Sequence, residues 1–314
     1  QIPTYLVSQL ARKHVTVSLS GDGGDELFAG YQRYQWAGRI WSTVSRIPRP
    51  ARSALGRLLE GVRQEHWDAL FQRLGPLLPA RLRVNLPGEK LHKFARVLKN
   101  PHSSGLYKQI ISHWEFPEQL VLDAREPATI VTNGAQHLGG ADFLQQMMFL
   151  DLVTYLPDDI MTKVDRASMG VSLEAREPLL DYRLVELAWR IPNHLKIREN
   201  KTKWILREIL YKYVPKALIE RPKMGFGVPI DSWLRGPLRE WGEELLSERR
   251  LREDGFFDPR PVRKKWDEHL RGASNWQYHL WDVLMFQSWL HHPGQSALES
   301  TPQFTSPRIA NADR

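Results

Sequence analysis

The sequence predicts a mostly α-helical chain with one β-strand opening into a glycine-rich loop. Three observations carry this. Residues 141–156 repeat apolar side chains at helical spacing, with Phe143, Leu144, Met147, Met148 and Leu152 on adjoining turns. Pro48, Pro50, Pro76, Pro79, Pro87 and Pro101 cut the middle of the chain into short helices. Only residues 15–19, Val-Thr-Val-Ser-Leu, read as a strand, and Ser20-Gly21-Asp22-Gly23-Gly24-Asp25-Glu26 follows at once.

Taken in order, residues 4–13 form a first helix, residues 15–19 the strand, and residues 27–34 a helix-like run after the glycine loop. Residues 141–156 form a long helix. Asp158 and Asp159 can cap the next one, which runs to Met169 and stops at Gly170. Asp181 can cap a helix to Arg190 that Pro192 closes, and residues 201–213 make another, ended by Pro215. Residues 275–291 form the last ordered element. From Pro293 onward the Ser, Pro, Gln, Thr and Asn content predicts a disordered tail, 293–314.

Composition narrows the function classes. The 314 residues are 42% hydrophobic and 25% charged, an ordinary globular balance with chain enough for a sizeable core. No apolar run reaches membrane-spanning length and no signal-peptide pattern opens the chain, so the expectation is a cytoplasmic protein without a membrane partner. There is no cysteine, hence no disulfide, thiolate metal site or cysteine nucleophile. The net charge of +8 is local. Arg39, Arg46, Arg49, Arg52, Arg57 and Arg63 face only Glu60, and Arg81, Arg83, Lys90, Lys93, Arg96 and Lys99 face only Glu89. Such clusters read as solvated helix faces, and no RNA-binding, zinc or helix-turn-helix pattern supports nucleic acid as a partner. Trp36, Trp41, Trp67, Trp189, Trp204, Trp276, Trp281 and Trp289 sit at helical apolar positions and suit core and groove packing.

Strand, glycine turn and helix start is the layout of a phosphate site, because glycine lets the backbone approach an anion. Asp22 and Asp25 would repel bare phosphate, so a divalent cation must mediate, with Mg²⁺ the natural choice for carboxylate and phosphate oxygens. The plain alternative is a tight turn with Asp25 as a helix N-cap.

The segment 20–31 resembles the second nucleotide-site motif of glutamine-hydrolysing asparagine synthetases. Three further blocks follow in the same order: Tyr155-Leu-Pro-Asp-Asp-Ile-Met-Thr-Lys-Val-Asp-Arg-Ala-Ser-Met169, Ser172-Leu-Glu-Ala-Arg-Glu-Pro-Leu-Leu-Asp181, and Lys201-Thr-Lys-Trp-Ile-Leu-Arg207 followed by Arg221-Pro-Lys-Met-Gly-Phe-Gly-Val-Pro229. The resemblance covers residues 20–229. It implies that residues 1–292 are the C-terminal part of an α/β synthetase domain of the adenine-nucleotide α-hydrolase-like, PP-loop ATP pyrophosphatase type, keeping one strand of a parallel sheet. Val15, Val17 and Leu19 are then expected to present apolar surface where neighbouring strands belong. The glutaminase domain, with its cysteine, and the first ATP loop are expected to be missing from this chain, leaving it inactive alone.

The implied reaction activates the aspartate side chain with ATP, giving a β-aspartyl-adenylate that ammonia from glutamine converts to asparagine. By the same resemblance Ser20 and Gly21, with Gly23 and Gly24, contact the nucleotide at the carboxyl end of the strand. Asp25 holds Mg²⁺ and pyrophosphate, Asp22 lies where the acyl-adenylate forms, and Lys203 neutralises phosphate, with Lys201 second in line. Some family members carry Glu where Asp22 stands. Lys163 and Arg166 read either as a cationic wall beside the nucleotide or as members of an intrahelical ion pair with Asp159. Glu174, Arg176 and Asp181 read as a buried structural cluster, and residues 224–229 as a loop near the site. A homodimer of the full-length protein is compatible with the family. The rivals are a related amide ligase acting on another carboxylate, similar to β-lactam synthetase or polysaccharide-modifying members, and a non-enzymatic basic helical module.

Overall fold

The computed structural model describes residues 1–74, 87–99, 103–114, 116–132, 139–220 and 227–292. The chain forms two compact units, Gln1–Ser112 with Pro127–Val228, and His113–Glu126 with Pro229–Arg314. The predicted tail and residues 221–226 of the last motif lie outside the described residues.

The first unit begins with α1 (Ile2–Arg12), β1 (Val17–Leu19), α2 (Gly24–Leu27) and α3 (Gln32–Val44). The helix-like run 27–34 is therefore broken. Ala29 adopts the left-handed conformation (φ 54°) between α2 and α3. The helices α4 (Arg49–Gly61), α5 (Gln64–Leu74), α6 (Pro87–Lys99) and α7 (Ser103–Ile111) follow. Next comes α8 (Phe143–Leu150), capped by Asp142, whose side chain accepts the Gln145 N–H while Gln145 returns a bond to the Asp142 N–H. A wide π-helical stretch, Asp151–Met161, then leads without a break into α9 (Thr162–Met169). Asp158 and Asp159 cap nothing there. Pro157 sits inside the stretch, and a π turn accommodates its missing N–H where an α turn would break.

A second strand, β2 (Glu174–Arg176), pairs in parallel with β1, Val17 beside Glu174 and Leu19 beside Arg176. The sequence reading had kept one strand. Glu-Ala-Arg carries no apolar alternation, and partner and register alone make it a strand. The unit continues with α10 (Tyr182–Arg190), which Asp181 caps as expected, α11 (Asn193–Lys196), α12 (Trp204–Leu210) and α13 (Lys216–Ile219). Val15, Val17 and Leu19 are 45%, 37% and 74% exposed, so the expected open apolar surface is present on and before β1.

Two clusters underlie the glycine loop. Leu27, Phe28 and Ala188 are buried against Leu180, Val185, Ile205 and Leu206. Ala29, Tyr34, Ala37, Tyr107, Met147, Met148 and Leu150 form the other. Leu27 is 1% exposed, and burying such a side chain contributes about 1.5–3 kcal/mol, enough to anchor a four-residue helix that could not stand alone.

The second unit holds α14 (Ile230–Arg235), α15 (Arg239–Leu245), α16 (Glu248–Asp254), α17 (Pro259–Leu270) and α18 (Gln277–Leu290). Its core includes Leu234, Leu246, Leu251, Val262, Trp266, Leu280 and Leu284. Trp266 packs against Gly242, where a Cβ would fall 2.7 Å from the indole. Of the tryptophans expected to pack, Trp36 and Trp289 are instead 42% and 57% exposed.

Candidate functional site

The site grows from the carboxyl ends of the two parallel strands. The Ser20 N–H donates to the Arg176 carbonyl at 2.8 Å, continuing the ladder one residue beyond β1. The Ser20 hydroxyl donates to the Asp22 carboxylate, and the Asp22 N–H returns to the hydroxyl at 3.3 Å, closing a local turn. Gly23 is left-handed (φ 84°) and caps α2, and a Cβ there would meet Leu180 Cδ2 at 2.2 Å. Gly24 lies against Leu179 in the same way, at 2.9 Å. Asp25 is the second residue of α2, and the cap position belongs to Gly23, so the N-cap reading of Asp25 does not hold.

Asp25 Oδ1 lies 2.9 Å from Lys203 Nζ, each side chain about a quarter exposed at 27% and 26%. Lys203 stands just before α12 in the left-handed conformation (φ 53°), and its N–H donates to the Phe28 carbonyl at 3.2 Å. The expected helix over 201–213 is thus Trp204–Leu210, with Lys203 as its strained first cap. The pair rests on Gly30. A Cβ there would fall 1.9 Å from Asp25 Oδ1 and 2.2 Å from Lys203 Cε, while the Gly30 N–H donates to the Asp25 carbonyl at 2.8 Å. Glu26 turns the other way. It is 1% exposed, accepts the Tyr31 hydroxyl at 2.5 Å, and burial pushes its carboxyl above the usual range.

The fold gathers Ser20, Gly21, Asp22, Gly23, Gly24, Asp25 and Lys203 from two of the motif blocks, and a third block supplies Leu179 and Leu180 beneath them. Lys201 lies aside, paired with Glu220 at 2.9 Å. Lys163 and Arg166 make no recorded contact with the loop among the described residues. Arg166 bonds its neighbour Asp165. Glu174 and Arg176 do pair, at 2.7 Å, but in the open at 52% and 63% exposure, and Asp181 pairs with Arg183 rather than joining them.

Two residues that sequence reasoning passed over belong to the site. Gly30 lay inside an assumed helix, and a second glycine six residues after Gly24 was the available signal. Glu177, one step beyond β2, stands across from Ser20. Its carboxyl is pushed up by burial first and then by Asp22, with Asp165 adding in the same sense. No three acidic or histidine side chains gather as a metal cage among the described residues.

Residues 1–291 match the family model described as asparagine synthase, and the chain belongs to that family. It is similar to a Mycobacterium bovis protein named "Putative asparagine synthetase [glutamine-hydrolyzing]", 33% identical over 293 residues, 92% of this chain and 41% of that protein. Asparagine synthetase [glutamine-hydrolyzing] 1 of Bacillus subtilis is 30% identical over 292 residues, again 92% of this chain and 42% of the relative. A shorter stretch, 36% of the chain, is 31% identical to amidase chry2 of Gibberella zeae, 18% of that protein. The chain thus spans about two fifths of the length of the first two relatives. No helix among the described residues is long and apolar enough to cross a membrane.

Proposed function

We propose that this chain carries the phosphate side of an ATP-dependent ligase that amidates aspartate to asparagine, using ammonia drawn from glutamine elsewhere in the full-length protein. The observation that carries the reading is the Asp25–Lys203 pair at 2.9 Å, laid on Gly30 beyond the carboxyl ends of two parallel strands. Open parallel sheets bind ligands at that end. The finer fold in this reading is a PP-loop ATP pyrophosphatase type of α/β domain extending over residues 1–292. In this reading a glutaminase half and a first ATP loop belong to the full-length protein outside this chain, which spans about two fifths of the length of its relatives.

The reaction has two steps. The aspartate β-carboxylate oxygen attacks the α-phosphorus of ATP and pyrophosphate leaves, giving the β-aspartyl-adenylate. Ammonia then attacks the acyl carbon, AMP leaves, and a proton is lost from nitrogen. Mg²⁺ bound to the phosphates would offset the charge that builds on pyrophosphate. Asp25 would hold that cation, and Lys203 would supply a positive charge to a phosphate oxygen. Ser20 and Gly21 offer their backbone to the nucleotide, and Gly23 and Gly24 let the same loop seat on Leu180 and Leu179 beneath it. Asp22, tied to Ser20, orients the reacting carboxyl end. Lys163 and Arg166 stand on the neighbouring α9 and supply positive potential rather than contact. The setting is the cytoplasm, where these substrates meet.

A second reading keeps the chemistry and changes the carboxylate, favoured by the likeness to a protein named an amidase. ATP–pyrophosphate exchange by the full-length protein, run with aspartate and with a panel of other carboxylates, tests both. Exchange that depends on aspartate supports the first. Exchange with another carboxylate alone replaces it with the second, and no exchange with any of them ends both.

A further inference from the structure

Behind the glycine loop lies a buried charged network that the proposed chemistry does not use. Asp151, the first residue of the π-helical stretch, is 0% exposed. It accepts the hydroxyls of Tyr34 at 2.5 Å and Tyr107 at 2.6 Å, and Arg33 Nη2 lies 2.9 Å away. The Arg33 guanidinium carbon stands 3.9 Å from the centre of the Tyr31 ring and 4.9 Å from that of Tyr155, and the two rings meet edge to face at 5.9 Å. Burial and Asp151 push both the Tyr34 and the Tyr107 hydroxyl up, so these remain donors at any working pH.

Stability alone is a weak reason for this arrangement. Buried ion pairs seldom out-stabilise well-packed apolar side chains of similar volume. Here Arg33 Nε is buried with no hydrogen-bond partner among the described residues, an added cost. What the network does is fix Tyr31. That ring is held from one side by Arg33, and its hydroxyl holds Glu26. Tyr31 directly follows Gly30, the floor of the Asp25–Lys203 pair, and Glu26 directly follows Asp25. One ring therefore sets both the height of the floor and the rotation of α2 that aims Asp25.

We propose that Arg33, paired with Asp151 and stacked on Tyr31, is a positioning residue that aims Asp25 at the metal–nucleotide. This rests on the function proposed above. Planarity matters as much as charge, because a guanidinium can stack on a ring and reach a carboxylate at once, whereas an ammonium cannot.

The test uses the full-length protein with Arg33→Lys, Arg33→Met, Tyr31→Phe and Asp25→Asn. Equilibrium binding of Mg·ATP is measured by calorimetry beside thermal melts and the Mg²⁺ dependence of pyrophosphate exchange. Arg33→Lys should keep its melting temperature within a few degrees while the Kd for Mg·ATP rises roughly tenfold. The Mg²⁺ needed for half-maximal exchange should rise with it, and saturating Mg²⁺ should restore most of the rate. Tyr31→Phe, which removes one oxygen, should shift both the same way by roughly threefold and keeps the test open if Arg33→Met fails to fold. Unchanged Mg·ATP affinity and Mg²⁺ dependence in Arg33→Lys and Tyr31→Phe would overturn the inference, whatever their stability. If Asp25→Asn itself binds Mg·ATP normally, the site reading fails instead, so the two failures are distinct.

Discussion

Two carboxylate–cation groupings in this chain follow opposite plans. In the second unit Asp231 and Arg235 lie one turn apart on α14 at 2.5 Å, and His269 is fully buried with Nε2 3.6 Å from the same carboxylate oxygen. Arg235 Nε donates to the His269 carbonyl at 2.7 Å, and the Trp276 N–H donates to His269 Nδ1 at 3.2 Å. This grouping ties α14 to α17 and to the turn before α18. Asp25 and Lys203 instead come from distant parts of the chain. Lys203 is itself left-handed, and Ala29 beside the pair is left-handed too. A left-handed non-glycine residue costs about 1–2 kcal/mol. Backbone strain thus collects at the loop pair and is absent from the helix-borne one, as expected where one grouping serves chemistry and the other packing, although Asp231 and Arg235 are the more exposed pair at 34% and 31%.

The comparison breaks if the loop pair proves structural. Asp25→Asn in the full-length protein should leave no measurable asparagine formation, because the amide is nearly isosteric but carries no charge for a cation. Glutaminase activity should be spared, and near-normal synthesis at ordinary magnesium would return Asp25 to a structural role. Lys203→Ala should slow single-turnover AMP formation roughly a hundredfold with little change in melting temperature. Lys203→Arg should recover part of the loss, and Lys201→Ala should matter less, since Lys201 is engaged with Glu220. A normal rate in Lys203→Ala, or a larger loss in Lys201→Ala, contradicts the assignment.

The glycine floor gives an intermediate effect. Gly30→Ala places a methyl where Asp25 and Lys203 meet, and relief costs about 1–3 kcal/mol. Mg·ATP affinity should fall roughly tenfold, read by calorimetry, and an unaltered affinity would mean that the pair does not need its floor.

The smallest effect sharpens the other side. Burial, then Arg235, holds the His269 pKa below its usual value near 6.5, with Asp231 opposing. The unfolded chain therefore takes up a proton at higher pH than the folded one. This contribution to stability is complete above about pH 6.5 and is lost as pH falls from there toward the folded pKa. Melts of the wild type between pH 7.5 and 5 should show that loss, and His269→Gln should flatten it. A parallel decline in the variant would place the sensitivity elsewhere.

What could be read from the sequence was local. Ser20 to Asp25 stood out because glycine and aspartate at that spacing have few other uses, and Asp181 announced its helix by capping it. Lys203 was found through its motif, but its left-handed backbone was not, since that conformation is imposed by the Phe28 carbonyl it bonds. The second strand was hidden because Glu174-Ala175-Arg176 becomes one only beside β1. Arg33 and Asp151 were silent for the same reason. Each looks like a surface residue in its own helix, and only the tertiary fold brings them within 2.9 Å.

The mutual neutralisation of Asp25 and Lys203 has a consequence for selectivity. At rest the pair offers no net charge to a stray phosphate or a lone divalent ion. Either one alone would have to break a 2.9 Å ion pair. A metal–polyphosphate complex brings both signs together, so each member can trade its partner for a new one in a single exchange. On the function proposed above, the loop would act as a gate of the logical-and kind, opening to the combination and indifferent to its parts.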